Sequence, residues 1–342
     1  MEERLYFNEK NSSDLTDRIF FLIKTAKRYI KTGNFFFKDP KLHEALIEAA
    51  ERGVAIFVLS NLTGNERERT TKEDNDPHIP NLHELNSHGV HVRLCKELHA
   101  KFLISDGLEG IIMSANYTRD SLYGNPENGV DIKNKELSDL ELIFDLMYLS
   151  PDTVLIGNEN TYGYKDRNNP INPDRLKHIG KDSRLRMTAA SKTNTNLSLC
   201  NYTSIYESII NIIKNSEDAI LIVSWSYNQI NKLPELKNAI KEAINRGVKV
   251  SLFYGDKATP ERIERTRRNA LELIGEENKS QLIKFSDNHA KCIISEKEGF
   301  LFTSNIDGYK GLLEGFELGC ILTEKQRLET IKRISQIISH GK

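Results

Sequence analysis

Apolar residues recur at helical spacing at Ile19, Leu22, Ile23 and Ala26, and again at Ile209, Ile212 and Ile213, with Ser216 in the fourth place. That period puts them on one face of an amphipathic helix. In both places a β-rich run follows, residues 29–37 and 219–225. A second helix comes next (42–50; 236–244) and ends in the same tripeptide, Arg52-Gly53-Val54 and Arg246-Gly247-Val248. Glycine is the expected stop there, because it takes the left-handed conformation at little cost. Strands are predicted after it at 55–59 and 249–253, then at 91–94 and 281–285. Two further runs in each half alternate like buried strands (100–105 and 110–113; 291–295 and 299–303), and a helix closes each half (138–149; 325–338). Strands and helices alternating at these lengths predict an α/β fold with helices on both faces of a sheet.

The two series are diverged copies of one unit. The differences 212 − 22, 289 − 99, 291 − 101, 304 − 114 and 317 − 127 all equal 190, and only at Arg-Gly-Val does the offset become 194 (246 − 52). Residues 1–150 are therefore expected to form a first repeat and 201–342 a second. The stretch between them, 151–200, is rich in Asn, Asp, Gly and Pro and weakly periodic. It reads as an extended, partly ordered connection, long enough to be functional.

The chemistry lies in what the copies share. The first reads His99-Ala-Lys101, then Asp106, Met113-Ser114-Ala115-Asn116 and Glu127. The second reads His289-Ala-Lys291, then Glu296, Thr303-Ser304-Asn305-Ile306 and Glu317. Residues i and i+2 of a strand share a face, so each histidine points with its lysine. Packed about a pseudo-twofold axis, the copies would converge two imidazoles and two ammonium groups on one pocket. Such a set suits a tetrahedral anion: the lysines offset phosphate charge, while Ser114, Ser304 and a side-chain amide donate hydrogen bonds. One neutral histidine can attack phosphorus, and the other, protonated, can serve the leaving oxygen and then activate water. Glu127 and Glu317 would hydrogen-bond the imidazoles and fix which nitrogen faces the substrate.

His-x-Lys, four residues, Asp, six residues, then Gly-Ser-x-Asn is the signature of the phospholipase D superfamily, and the chain resembles a two-repeat member over nearly its whole length. The first copy fits at His99, Lys101, Asp106, Ser114 and Asn116, with Met113 in place of Gly. The second fits at His289, Lys291 and Ser304; Glu296 replaces Asp, Thr303 replaces Gly, and Ile306 takes the Asn position, with Asn305 one residue early. On this register Asn305 is expected to point to the other face of its strand, so that the second half-site lacks its amide. The resemblance implies tandem α/β sandwich repeats with one active site at their interface. It implies a covalent phosphohistidine route needing neither metal nor cofactor, with His99 as nucleophile and His289 as general acid/base.

Composition narrows the substrate only partly. Hydrophobic residues make up 38% and charged residues 28%, as in soluble globular proteins. No run reaches the ~20 apolar residues of a membrane-spanning helix, and the N-terminus lacks a signal-peptide layout. Integral membrane association is therefore not expected. Four scattered cysteines without Cys-x-x-Cys fit a reducing cytoplasm. The net charge of −1 argues against a polycation, yet residues 165–192 carry eight Lys and Arg against three Asp. Arg262, Arg265, Arg267 and Arg268 lie at helical spacing, and Trp225, Tyr227 and Tyr254 sit near strand ends. Arginine–phosphate contacts and base stacking would suit DNA or RNA, so a nuclease is the leading expectation. The resemblance also raises antiviral defence beside a separate ATPase or helicase. Two alternatives stay open: a peripheral phospholipid phosphodiesterase or phosphatidyltransferase, and a catalytically silent nucleic-acid-binding subunit.

Overall fold

The computed structural model describes residues 4–9, 12–61, 76–95, 98–149, 154–156, 161–163, 183–189, 202–309 and 311–340. The amphipathic helices form where their period places them, at Asp14–Thr25 and Ser204–Asn215. Both bury the predicted apolar stripe, including Ile19, Leu22 and Ile23 in the first and Ile209, Ile212 and Ile213 in the second. The helices Pro40–Glu51 and Pro234–Asn245 follow, each with Pro at its start. Gly53 and Gly247 then turn the chain at φ values of 87° and 89°, the left-handed conformation expected of them.

The two halves build sheets of the same order. In the first, Tyr29–Asn34 lies between the parallel strand Ala55–Asn61 and the antiparallel strand Phe102–Ser105. His91–Cys95 extends one side, and Glu109–Met113, Glu127–Ile132 and Leu5–Glu9 extend the other. In the second, Ala219–Val223 lies between Lys249–Gly255 and Cys292–Ser295. Leu282–Phe285 flanks one side, and Gly299–Phe302, Phe316–Ile321 and Leu185–Ala189 the other. The counterpart of the first strand of the chain is therefore Leu185–Ala189, which lies inside the 151–200 stretch. From the same stretch, Val154–Ile156 and Thr161–Gly163 extend the first sheet instead. The fold is mixed α/β with two such sheets.

One apolar core spans both halves. Phe102, Ile104, Ile112 and Val130 of the first sheet share it with Leu301, Phe316, Leu318 and Cys320 of the second and with Phe144 and Met147 of the helix Asn134–Tyr148. The sheets are thus pressed together through side chains that neither half could bury alone. At its edge the backbone stitches across: the amides of His99 and Ala100 both donate to the Phe316 carbonyl (3.0 and 2.8 Å), and that of His289 donates to Pro126 (2.9 Å).

Candidate active site

Each histidine stands just before the strand carrying its motif, at the seam between the sheets. Its carboxylate partner comes from the other half. His99 Nδ1 lies 2.6 Å from Glu317 Oε1, and His289 Nδ1 lies 3.4 Å from Glu127 Oε1. Both glutamates are buried, in the strands Glu127–Ile132 and Phe316–Ile321. With Nδ1 held from behind, Nε2 of each ring is left for the pocket. Lys101 and Lys291 are also buried, each with its ammonium turned back to the carbonyl two residues earlier, His99 and His289. Asn128 spans the seam as well, accepting from the Lys291 amide at 3.3 Å.

Four buried charges in one place shift one another. Burial alone would raise both carboxyls, but the neighbouring histidines and lysines outweigh it and hold Glu127 and Glu317 below the usual carboxylate range. Burial pushes Lys101 down to about 7 and lowers Lys291 as well, with the glutamates opposing. His99 falls below its ordinary value because burial outweighs the pull of Glu317.

The structure revises the register of the second motif. Ser114 donates to Glu127 and its Oγ accepts from the Asn128 amide; Thr303 donates to Glu317 and its Oγ1 accepts from the Leu318 amide. Ser114 therefore matches Thr303, at an offset of 189, and Ser304 matches Ala115. The next residues agree: the Tyr117 amide donates to Asn34 Oδ1 and the Ile306 amide to Ser224 Oγ. The cause is a shorter hairpin. Three residues, Asp106, Gly107 and Leu108, turn the first one, but only Glu296 and Lys297 turn the second, where the Ser295 amide meets the Glu298 carbonyl. Asn305 thus falls on the position of Asn116, and the expectation that it faces away is overturned. Asn116 Oδ1 and Asn305 Oδ1 are both buried and alike in having no hydrogen-bond partner among the described residues. Ser304, by contrast, spends its hydroxyl on the neighbouring Asn305 carbonyl, 2.6 Å away.

Asp106 and Glu296 take no part in this pocket. Asp106 accepts from the amides of Lys27, Arg28 and Tyr29 at 2.8–2.9 Å. Glu296 does the same for Glu217 and Ala219, with Ser216 Oγ added at 2.9 Å. These carboxylates pin the turn that enters the central strand, at the far end of the motif strand from the histidine. Backbone donors outweigh burial and bring the Glu296 carboxyl down to about 2.

A family model described as "Cardiolipin synthase, PLD-like domain" matches residues 19–147, which hold the whole first motif. That part of the chain is phospholipase D-like. Among solved structures, phosphatidylserine synthase from Haemophilus influenzae is similar over 98% of this chain and 86% of its own, at 14% identity and a TM-score of 0.65. Polyphosphate kinase from Porphyromonas gingivalis is similar over 98% of this chain at 13% identity and a TM-score of 0.60, although the chain spans only 50% of that protein. Nuc, a phospholipase D family member from Salmonella typhimurium, is 21% identical over 43% of this chain and 95% of its own, with a TM-score of 0.37. No curated protein sequence matches. At these identities the likeness establishes the phospholipase D fold and leaves the substrate to the site itself.

Around the pocket the other candidates sort clearly. Tyr227 is buried, with its hydroxyl between the Ile222 and Phe253 carbonyls (3.1 Å each), and Tyr254 is buried too. Neither can serve as a stacking surface. Trp225 is half-buried with its ring 5.1 Å from that of His289. Phe35, at the equivalent place (225 − 35 = 190), lies 5.1 Å from the His99 ring. Sequence reading missed Phe35, which only the repeat register could have paired with Trp225. On the helix Pro260–Ile274, Arg267 is tied to Glu264 at 2.8 Å, while Arg262, Arg265 and Arg268 are exposed. Of the basic stretch, Arg184 binds Glu136 and Arg186 binds Ser208 and nearby carbonyls. Its other basic residues, and most of the charged loop 64–80, lie outside the described residues. Among those described, no three His, Cys, Asp or Glu side chains gather as a metal ion would need, and no helix is long and apolar enough to cross a membrane.

Proposed function

We propose that this chain is a metal-independent phosphodiesterase that cleaves nucleic acid through a phosphohistidine on His99. The observation that carries this reading is the crossed pairing of His99 with Glu317 and His289 with Glu127 over two buried lysines. Glu317 fixes the ring of His99 through Nδ1, and burial keeps that ring neutral, so Nε2 offers a lone pair. His289 has Nδ1 3.4 Å from Glu127 Oε1, which leaves Nε2 as the nitrogen to serve the leaving oxygen.

In the first step the N–P bond forms as the P–O bond breaks, and the leaving oxygen takes its proton from His289. In the second, His289 removes a proton from water, the water oxygen attacks phosphorus, and the N–P bond breaks. Lys101 and Lys291 offset the charge on the equatorial oxygens, with the amides of Asn116 and Asn305 as neutral donors. Ser114 and Thr303 orient the glutamates. Asp106 and Glu296 keep a supporting role in the scaffold.

Nucleic acid is favoured over lipid by the exposed arginines of the helix Pro260–Ile274 and the half-buried Trp225 beside His289. Cys292, a buried free thiol, accords with a cytoplasmic setting. There the separate ATPase or helicase that the resemblance implies would supply unwound strands in antiviral defence. The test is incubation of the pure protein with single-stranded DNA, duplex DNA, RNA and phospholipid vesicles in excess EDTA. Cleavage of nucleic acid that survives EDTA and vanishes in both His99→Ala and His289→Ala is the expected result. Strict metal dependence would overturn the mechanism, and turnover of phosphatidyl lipid alone would make the chain a phosphatidyl hydrolase or transferase. Nucleic-acid binding without turnover would make it a silent subunit.

A further inference from the structure

Arg262 lies over the face of Trp225, with its guanidinium carbon 4.2 Å from the ring centroid. The indole is held firmly. A Cβ at Gly255 would meet its edge at 2.4 Å, and the Gly255 amide donates to the Trp225 carbonyl at 3.0 Å. Its other neighbour is His289, the proton donor, in a tilted contact. A flat aromatic surface, fixed beside the acid and only half-buried, is thus covered by an exposed cation. The first repeat carries a weaker version: Phe35 touches His99 and packs edge-on against Phe36, 4.3 Å away, and the cation near its ring is the buried Lys101, 5.9 Å from the centroid.

From this arrangement we infer that Trp225 is the stacking platform for an unpaired base next to the scissile phosphate, and that Arg262 gives up the indole face to that base and moves to a phosphate. The inference rests on the nuclease reading and names its substrate as single-stranded nucleic acid. Magnitudes favour the exchange. An exposed guanidinium–aromatic contact is worth about two- to fivefold in binding, whereas one base stacked on an aromatic is worth about five- to a hundredfold. The displaced guanidinium then gains a charge-assisted contact with phosphate. In-line displacement fixes which base is meant. The leaving oxygen departs opposite His99 and beside His289, so the platform serves the leaving nucleoside. A duplex keeps its bases stacked and cannot offer one.

Trp225 is the only tryptophan of the chain, so its emission reports on its own face. The experiment titrates His99→Ala protein with single-stranded oligothymidylate, a duplex of the same length and phosphatidylglycerol vesicles, following tryptophan emission together with the anisotropy of labelled DNA. Saturable quenching by the single strand, with weaker binding of the duplex, is the expected result. Added to this background, Trp225→Ala should weaken single-strand binding about tenfold. Arg262→Ala should keep the quenching and lower the salt slope of the affinity by about 0.7, the share of one phosphate contact on a single strand. Single-strand binding without any change in emission, or a duplex bound as tightly, would overturn the platform while leaving the nuclease reading intact. Failure to bind any nucleic acid, or an emission change with vesicles alone, would overturn both.

Discussion

Ser114 and Thr303 perform the same task in the two halves, each donating its hydroxyl to the buried glutamate of its own sheet. Because those glutamates reach across to the opposite histidines, a hydroxyl–carboxylate–imidazole chain crosses the seam twice. The register of the second motif therefore rests on Thr303, and this can be checked directly. Thr303→Ala should lower kcat about tenfold to a hundredfold, the usual effect of losing a partner that orients a site ligand, and Thr303→Ser should restore most of it. Ser304→Ala should lower kcat far less, since its hydroxyl is spent on the Asn305 carbonyl and orients neither glutamate. Steady-state cleavage of single-stranded DNA by the three variants decides the matter; equal losses at 303 and 304 would contradict the shifted register.

The pH profile follows from the shifted groups. His99 must be neutral to attack, and burial lowers it, so the acid limb of kcat/KM should fall below the ordinary histidine value of 6.5. Lys101 binds phosphate only while charged, and its value of about 7 should make kcat/KM decline as the pH rises through neutrality. Glu317 pulls His99 upward, so Glu317→Gln should move the acid limb lower still as it reduces kcat. An optimum near pH 9 would be incompatible with this assignment.

Stability should carry the mark of Lys101. Its folded value of about 7 lies below its ordinary 10.5, so between those values the unfolded chain binds the proton and the folded protein does not. Stability from this group therefore rises with pH across that window. Chemical unfolding of wild type and Lys101→Met at pH 7 and pH 9 should show the wild type gaining relative to the variant. Parallel curves would mean that Lys101 remains charged throughout.

Asp106 belongs to the scaffold, and its variants should behave accordingly. Asp106→Ala leaves three backbone amides without their acceptor, which should cost about 1–3 kcal/mol of stability. The kcat of the folded fraction should remain near wild type. A fall in kcat without loss of thermal stability would place Asp106 in the chemistry after all.

Most of the fold was legible because the repeat supplied two readings of every element. The helix stops at Gly53 and Gly247 and the stripes Ile19–Leu22–Ile23 and Ile209–Ile212–Ile213 are local signals, and local physics determines them. Two features were not local. The lost residue between Glu296 and Thr303 was hidden because Thr-Ser offers two hydroxyls, and a strict offset of 190 selects the wrong one. Only the strand pairing, with Met113 opposite Gly129 and Phe302 opposite Gly319, reveals the shift. The crossing of the glutamates was likewise invisible, since spacing ties each to the histidine of its own copy. The contrast between Tyr227 and Trp225 rested on depth in the fold, which alternation near a strand end does not specify.

The crossed glutamates also bear on how the protein is made. His99 leaves the ribosome long before Glu317, 218 residues later in the chain, and the core that seats both is filled only when Phe316, Leu318 and Cys320 arrive. A chain that stops short of the second repeat thus carries the proposed nucleophile without its carboxylate partner and without the proposed proton donor. On the proposed mechanism, cleavage would have to wait until the second repeat has been made and has docked on the first.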